Sequence, residues 1–555
     1  MPQMTGGEAV VATLKALSID TVFGIPSVHN LPIVDALAGL AAPRLVVVRH
    51  EQGAAHMADG FYRATGRVAV ALTSTGPGAA NSVTGLWEAY HAGSPLLTIT
   101  GQIGTEWLDR GKGQLHEVDH QPEFLGAVVK RVFRVERVGD IPDVLTRAAH
   151  LTVRGRPGPV AVEIPIDLQY QRDAIEMLPR PWPDREAPTE QEVASATRLI
   201  GDSRSIVIWA GGGAVRTGAG PALQALSERI GALIVTSTNG RGAVDEGHPH
   251  AAGAFTTDAE VREYLEDADL WIGVGTRFRY DATAEWAIKP PRKLIHINLD
   301  RTARDRNYRA DLYVAADARL TVEAIVRALP DGKRETPEAV RRLHREPRER
   351  AFARLGPWRP IAEAVAEVVS DQGILVCDAT IPAYAFGNRV IPIRHPHGFL
   401  YPTTAAIGPG LPLAIGAQVG APDRPVVLLA GDGGFLLDVG DLATAAQYGI
   451  PVVFVVFNDR AYGILKRVQE REFGRLHGVN LNAPDFVQLA QAFGIRALHA
   501  RSAETFTDRI REAVALREPV LLEMDMSEIG PVPLGGGRPA AAESKRERAE
   551  TTRQG

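Results

Sequence analysis

Short, wholly apolar runs alternate along this chain with stretches in which apolar residues recur at helical spacing. In the first third, Glu8 to Leu17 has the helical pattern and Thr21-Val22-Phe23 is a short strand stopped by Gly24. Leu31 to Leu40 is helical again. Leu45 to Val48, Val68 to Thr73, Pro95 to Thr100 and Pro159 to Ile164 read as strands. A second series follows, with strands predicted at Ser205–Ala210, Leu233–Thr236, Leu270–Val274 and Lys293–Ile297, and a helix at Pro221–Ile230. A third has strands at Ile374–Cys377, Val426–Leu429, Val452–Phe457 and Val520–Met524. Strands that alternate with helices predict parallel sheets covered on both faces. The fold class expected is therefore α/β, as three doubly wound α/β domains with mostly parallel sheets.

Two composition shifts divide the series. Glu176 to Thr189 is rich in proline and charge, and so is Asp331 to Leu355; both read as separators between domains. The expected domains are 1–178, 190–332 and 356–530. The tail 531–555, with Gly535-Gly536-Gly537 and then alanines and mixed charge, has too little apolar surface to order itself. Whether the two outer domains share a fold is not readable at this level.

Composition narrows the function classes. At 555 residues the chain is too long for one core. A net charge of −5 gives no nucleic-acid footprint. The single cysteine, Cys377, excludes an internal disulfide and fits a reducing compartment. Residues Met1 to Gly7 lack the pattern of a signal peptide, and no apolar run approaches the roughly 20 residues that cross a bilayer. No membrane partner and a cytoplasmic location are the expectations.

The chemistry is concentrated in Ala430-Gly431-Asp432-Gly433-Gly434-Phe435 and in Phe457-Asn458-Asp459. Each follows an apolar run, so an acid and an amide arrive at the ends of two neighbouring parallel strands, where open α/β sheets bind ligands. Asp432 and Asn458 are hard oxygen ligands suited to a magnesium ion that also holds phosphate oxygens. The glycines let backbone N–H groups approach a diphosphate, and the following helix offers its N-terminus. A bare strand-to-helix turn would explain the first motif alone, but not the pair at this spacing. The pair resembles the diphosphate-binding signature of thiamine-diphosphate enzymes.

A longer resemblance joins it. His50-Glu51-Gln52-Gly53-Ala54-Ala55, Ala58-Asp59-Gly60, Arg63-Ala64-Thr65-Gly66, Phe23-Gly24-Ile25-Pro26, Thr75-Gly76-Pro77-Gly78-Ala79-Ala80-Asn81 and the block from Pro95 to Gln102 are similar to the N-terminal domain of the acetolactate synthase family. The similarity covers nearly the whole chain up to about Pro531. It implies thiamine diphosphate and Mg2+ as cofactors and a 2-oxo acid as substrate. It gives Glu51 the task of bonding the cofactor's aminopyrimidine so that the thiazolium loses its proton. Thr404 to Pro412 aligns with the block in which Ile407 wedges the cofactor into a V and backbone near Ala405 holds the pyrimidine. The metal would be held by Asp432, Asn458 and the backbone carbonyl of Arg460. Pro26, Gly76, Asn81, Gly431, Gly433, Gly434, Tyr462, Gly463 and Ile464 complete the cofactor-binding set. A homodimer or homotetramer with sites at the subunit interface is implied.

Some blocks depart from that family. Leu115-His116 stands where acetolactate synthases carry phenylalanine and glutamine, which looks more like a branch that includes decarboxylases of 5-guanidino-2-oxopentanoate. His116 is the candidate proton shuttle, with Gln114 and His29 as candidates for the same pocket; a single structural hydrogen bond is the plainer reading of a loop histidine. Val468 replaces a tryptophan and Asp281 an expected arginine, and an acid at 281 would attract a cationic substrate tail. Gly211-Gly212-Gly213 and Gly275-Thr276-Arg277-Phe278 stand where acetolactate synthases hold FAD. The Met-His-Gly block of those enzymes is replaced by Ala252-Gly253-Ala254-Phe255-Thr256, which disfavours FAD without removing it. A dinucleotide oxidoreductase would need a full Gly-x-Gly-x-x-Gly, which this domain lacks. Decarboxylation followed by transfer to a second carbonyl is the first functional expectation; aldehyde release is the alternative, and a non-catalytic homologue is the third.

Overall fold

The computed structural model of the protein describes residues 2–177 and 181–534. Three six-stranded sheets form its frame, and every strand pair within them is parallel. The central strands are unbroken apolar runs because both faces are covered by helices. Val452–Asn458, for example, is buried at every position. The strands missing from the hydrophobic pattern are short or lie at edges: Val132–Arg134, Ala251–Gly253, Leu312–Val314, Phe399–Leu400 and Arg496–Ala500.

The first sheet contains Thr21–Gly24, Arg44–Val47, Ala69–Thr73, Leu96–Gln102, Val132–Arg134 and Pro159–Pro165. Counted in chain order, they lie side by side as second, first, third, fourth, sixth, fifth. The third sheet contains Ile374–Cys377, Phe399–Leu400, Val426–Gly431, Val452–Asn458, Arg496–Ala500 and Val520–Asp525, and it has the same order. The middle sheet is arranged as third, second, first, fourth, fifth, sixth, the doubly wound dinucleotide-fold order. The two outer domains therefore share a topology, which the sequence pattern does not reveal.

The charged segment expected to separate the middle and third domains is largely a helix, Glu338–Arg354. It buries Val340, Leu343 and Pro347, and Arg348 reaches back to Glu246 at 2.8 Å. Spacing alone does not show this, because Pro347 removes one helix donor and the apolar face is narrow. At the C-terminal end, Val532 is packed in the core of the third domain. Pro179 of the expected linker, and residues 535–555 of the expected tail, lie outside the described residues.

The outer domains meet through two helices, Glu51–Thr65 and Gly410–Gly420. Glycine lets them approach closely. A Cβ on Gly60 would lie 2.1 Å from the Leu413 carbonyl oxygen, and one on Gly416 would lie 1.9 Å from that of Met57. This contact fixes where Glu51, the first residue of its helix, is presented to the third domain.

Candidate active site

The first-domain half of the site sits at the C-terminal ends of its strands, with Ser27 after the first, Glu51 after the second and Ser74 after the third, around the point where the strand order reverses. His50 caps the helix that Glu51 begins, accepting from the Gln52 N–H at 3.2 Å. Glu51 is half-buried, and its Oε2 accepts from Asn81 Nδ2 at 3.0 Å. Its other oxygen lies against Gly78, where a Cβ would come within 3.0 Å of Oε1. Gly76 has φ of +58°, and a side chain there would strike the His116 carbonyl oxygen at 2.4 Å. The loop from 111 to 120 is thereby held down over the strand ends.

His116 itself has φ of +61°. Its Nδ1 lies 3.3 Å from Ser74 Oγ, and Ser74 Oγ lies 2.6 Å from Ser27 Oγ. The His29 ring is 5.3 Å from the His116 ring. Burial, and then the neighbouring His116, hold His29 below the usual imidazole range. Two histidines and two serines thus form one cluster next to the Glu51–Asn81 pair. Gln114 is half-buried in the same turn and is tied by its backbone N–H to Glu117 at 2.8 Å. Pro26 is exposed just before Ser27. Beneath the cluster, Gln121 Oε1 accepts from Gly76 N at 2.8 Å and from Thr75 Oγ1 at 2.9 Å, while Gln121 Nε2 donates to Glu163 at 2.7 Å.

The third-domain half uses the same edge of its own sheet, with Asp432 and Asn458 at the ends of its third and fourth strands. Gly431 pairs with Phe457, so Asp432 and Asn458 follow adjacent strands in register. Asn458 Nδ2 donates to Glu523 at 2.8 Å, and its Oδ1 accepts from the Arg460 N–H at 3.2 Å. Arg460 has φ of +53°, which turns the loop sharply at the position expected to offer a carbonyl. Asp432 Oδ2 is buried with no hydrogen-bond partner. Burial, and then the Asp459 carboxylate, push the Asp432 carboxyl up to about 7. An orphaned carboxylate oxygen beside an amide oxygen fits a divalent cation. Among the described residues, no cluster of three or more His, Cys, Asp or Glu could hold a metal by itself. A cation here would draw its remaining ligands from phosphate oxygens and water, as Mg2+ does.

Gly433 lies against the Tyr462 ring, where a Cβ would meet Cε1 at 2.7 Å, and Gly434 lies against Asp378. Gly463 packs against Asp459, and Ile464 packs on the third-domain core. One expectation is corrected: the helix after Asp432 is a single turn, Asp432–Phe435. So short a helix supplies little dipole, and individual N–H groups between glycines are what it offers an anion. Asp378 is a residue the sequence reading passed over. It follows strand Ile374–Cys377 as Asp432 follows its own strand, and that rule could have found it. Its Oδ2 accepts from Gly408 N at 2.8 Å, and burial pushes its carboxyl up to about 6.

Ala405 has φ of +58° and Gly408 φ of +105°, and between them Ile407 is 40% exposed. This loop sits where the outer domains meet. Gln52 Nε2 donates to both Asp438 oxygens at 3.0 and 3.1 Å, and Gly408 lies against Leu437 and Asp438.

A cavity of about 570 Å³ lies between the first and middle domains, at the strand-order reversal of the middle sheet. Gly212, Gly213, Gly275, Arg216 and Arg277 line it. Asp281 lies on it too, but is 3.7 Å from Arg279. Arg279 and Asp281 thus stand side by side at the cavity, both partly exposed.

Comparison with known proteins agrees with these three units. Residues 4–123 match the thiamine pyrophosphate enzyme N-terminal TPP binding domain, 193–325 the central domain, and 383–524 the C-terminal TPP binding domain. The chain is 31% identical to a probable acetolactate synthase large subunit of Methanocaldococcus jannaschii, over 96% of this chain and 94% of that one. It is 33% identical to a probable 2-ketoarginine decarboxylase of Pseudomonas aeruginosa, over 94% of each. It is 31% identical to the acetolactate synthase isozyme 3 large subunit of Escherichia coli, over 97% of this chain and 98% of that one.

Proposed function

The chain belongs to the thiamine pyrophosphate enzyme family, and from that premise we propose that it decarboxylates a 2-oxo acid with bound thiamine diphosphate and Mg2+. The observation that carries the reading is the matched pair of strand-end cradles. One holds a carboxylate, Glu51, against Gly78 and Asn81; the other holds the orphaned Asp432 oxygen beside Asn458. When bound, the cofactor's thiazolium accepts the electron pair released as carbon dioxide leaves. Asp432, Asn458 and the Arg460 carbonyl would hold the cation and, through it, the diphosphate. Glu51 would hold a proton at a ring nitrogen of the aminopyrimidine, with Asn81 orienting its second oxygen. Ile407 and the backbone at Ala405 would support the rings.

After carbon dioxide is lost, the reacting carbon takes either a proton or a second carbonyl. The cluster of His116, His29, Ser74 and Ser27 supports proton delivery, giving R–CO–COO⁻ + H⁺ → R–CHO + CO₂. Transfer to a second carbonyl, the first expectation from the sequence, draws its support from the acetolactate synthase relatives. A cytoplasmic homo-oligomer, dimer or tetramer, belongs to the same reading. FAD would have to occupy the middle-domain cavity, and the missing Met-His-Gly block argues against it.

One assay separates these outcomes. The protein is incubated with thiamine diphosphate, Mg2+ and a panel of 2-oxo acids that includes pyruvate and 5-guanidino-2-oxopentanoate. Aldehyde without acyloin is expected, and His116→Ala should slow its release. Acetolactate from pyruvate would overturn the protonation reading. No turnover with the cofactor bound would leave a non-catalytic binding protein. A yellow protein with a flavin spectrum would show FAD bound and overturn the argument against it.

A further inference from the structure

Glu88 lies on helix Val83–Ala92 of the first domain, and its side chain is 1% exposed. Its carboxylate does not spend itself on an ion pair alone. Oε1 accepts from Arg63 Nη2 at 2.5 Å and from the Thr403 N–H at 2.5 Å. Oε2 accepts from the Thr404 N–H at 3.0 Å and from Thr404 Oγ1 at 2.6 Å. Three of those four donors belong to one short segment of the third domain, immediately before Ala405. Arg63, shared with Asp59 at 2.9 Å, adds a bond from Nη1 to the Tyr401 carbonyl at 2.8 Å. Asn239 of the middle domain donates to Thr403 Oγ1 at 3.1 Å. All three domains therefore grip residues 401–404, and the chain then enters the left-handed conformation at Ala405 that leads to the exposed Ile407.

We propose that Glu88 is a positioning residue for cofactor binding, holding the Thr403–Thr404 segment so that Ala405 and Ile407 are preset to receive the cofactor's rings. The inference rests on the reading of this loop given under Proposed function. A buried carboxylate bonded to consecutive backbone N–H groups fixes a loop without a helix or a sheet to do so. Prepaid order of that kind strengthens ligand binding by lowering what must be ordered later. A purely structural ion cluster would instead set only the stability of the domain contact.

The test is calorimetric titration of thiamine diphosphate, with Mg2+ in excess, into the full-length protein, alongside thermal unfolding. Glu88→Gln keeps the shape but leaves one acceptor oxygen for the loop. Its binding should weaken at least tenfold. Thr404→Val, which keeps Glu88 and Arg63 paired, should weaken binding several-fold, and Thr404→Ser should restore it to within twofold. If Glu88→Gln fails to fold, the Thr404 pair decides the matter. Lowered unfolding temperatures with wild-type dissociation constants would overturn the proposal. No binding by the wild-type protein would overturn the functional reading instead.

Discussion

The close approach of Gly416 to Met57 between the outer domains can be probed with a single methyl group. In Gly416→Ala, the new Cβ would start 1.9 Å from the Met57 carbonyl oxygen and 2.6 Å from the Met57 carbonyl carbon. Real Cβ contacts stop at about 3.0 Å, so the helices must separate by 3.0 − 1.9 = 1.1 Å or more. Neither atom can swing away, since both are helix backbone. Overpacking a buried contact of this kind costs about 3 kcal/mol. The movement also draws Gln52 from Asp438 and shifts the start of the helix that Glu51 occupies. Urea unfolding should show a lowered midpoint with an unchanged slope, and thiamine diphosphate titration should show weaker binding. Gly126→Ala is the control, because a Cβ there meets nothing within 4 Å. If Gly416→Ala and Gly126→Ala unfold together with the wild type, the helix contact does not bear the constraint assigned to it.

Further expectations follow from other parts of the molecule. His56 is fully buried on the same helix with neither ring nitrogen bonded, and burial lowers its pKa to about 4 from 6.5. A depressed histidine favours the neutral form in the folded state. Its contribution is therefore complete above pH 6.5 and is lost as pH falls toward 4, a total of about 3 kcal/mol that His56→Phe should largely abolish in a pH series of urea curves. Glu51→Gln should keep thiamine diphosphate binding within a few-fold and lose on the order of 100-fold or more in turnover; full activity would remove Glu51 from its role. Glu246→Ala leaves the buried Arg241 without its carboxylate and should cost about 3 kcal/mol in unfolding free energy. Removing divalent cations with EDTA should weaken thiamine diphosphate binding at least tenfold, with Mg2+ restoring it; unchanged affinity would remove Asp432 and Asn458 from the metal role.

Much of the frame was legible because parallel strands buried on both faces announce themselves as apolar runs. Leu233–Thr236, Leu270–Val274 and Ile374–Cys377 have the boundaries that their sequences predict. Edge strands such as Arg496–Ala500, with an exposed arginine and half-buried centre, carry no such signal. Asp432 and Asn458 were legible because each ends an apolar run. The bonds from Thr403 and Thr404 to Glu88 were not, since those residues lie in another domain more than 300 positions away. The nearness of Arg279 to Asp281 was likewise invisible, because loop conformation and not spacing sets it. His116 was singled out as a departure from the family pattern; its neighbours Ser27 and Ser74 needed the fold to bring them together.

The shared strand order of the outer domains has a further consequence. In both sheets the first and third strands flank the reversal, and in both the residues just beyond them carry the polar groups. Ser27, His29 and Ser74 do so in one domain, and Asp378 and Asp432 in the other. Such an arrangement is what duplication of a single ancestral unit would leave, with the cores kept and only the strand-end loops rewritten. It makes the outer domains two mounts of one design, locked to each other through Gly60, Gly416 and the bond from Gln52 to Asp438.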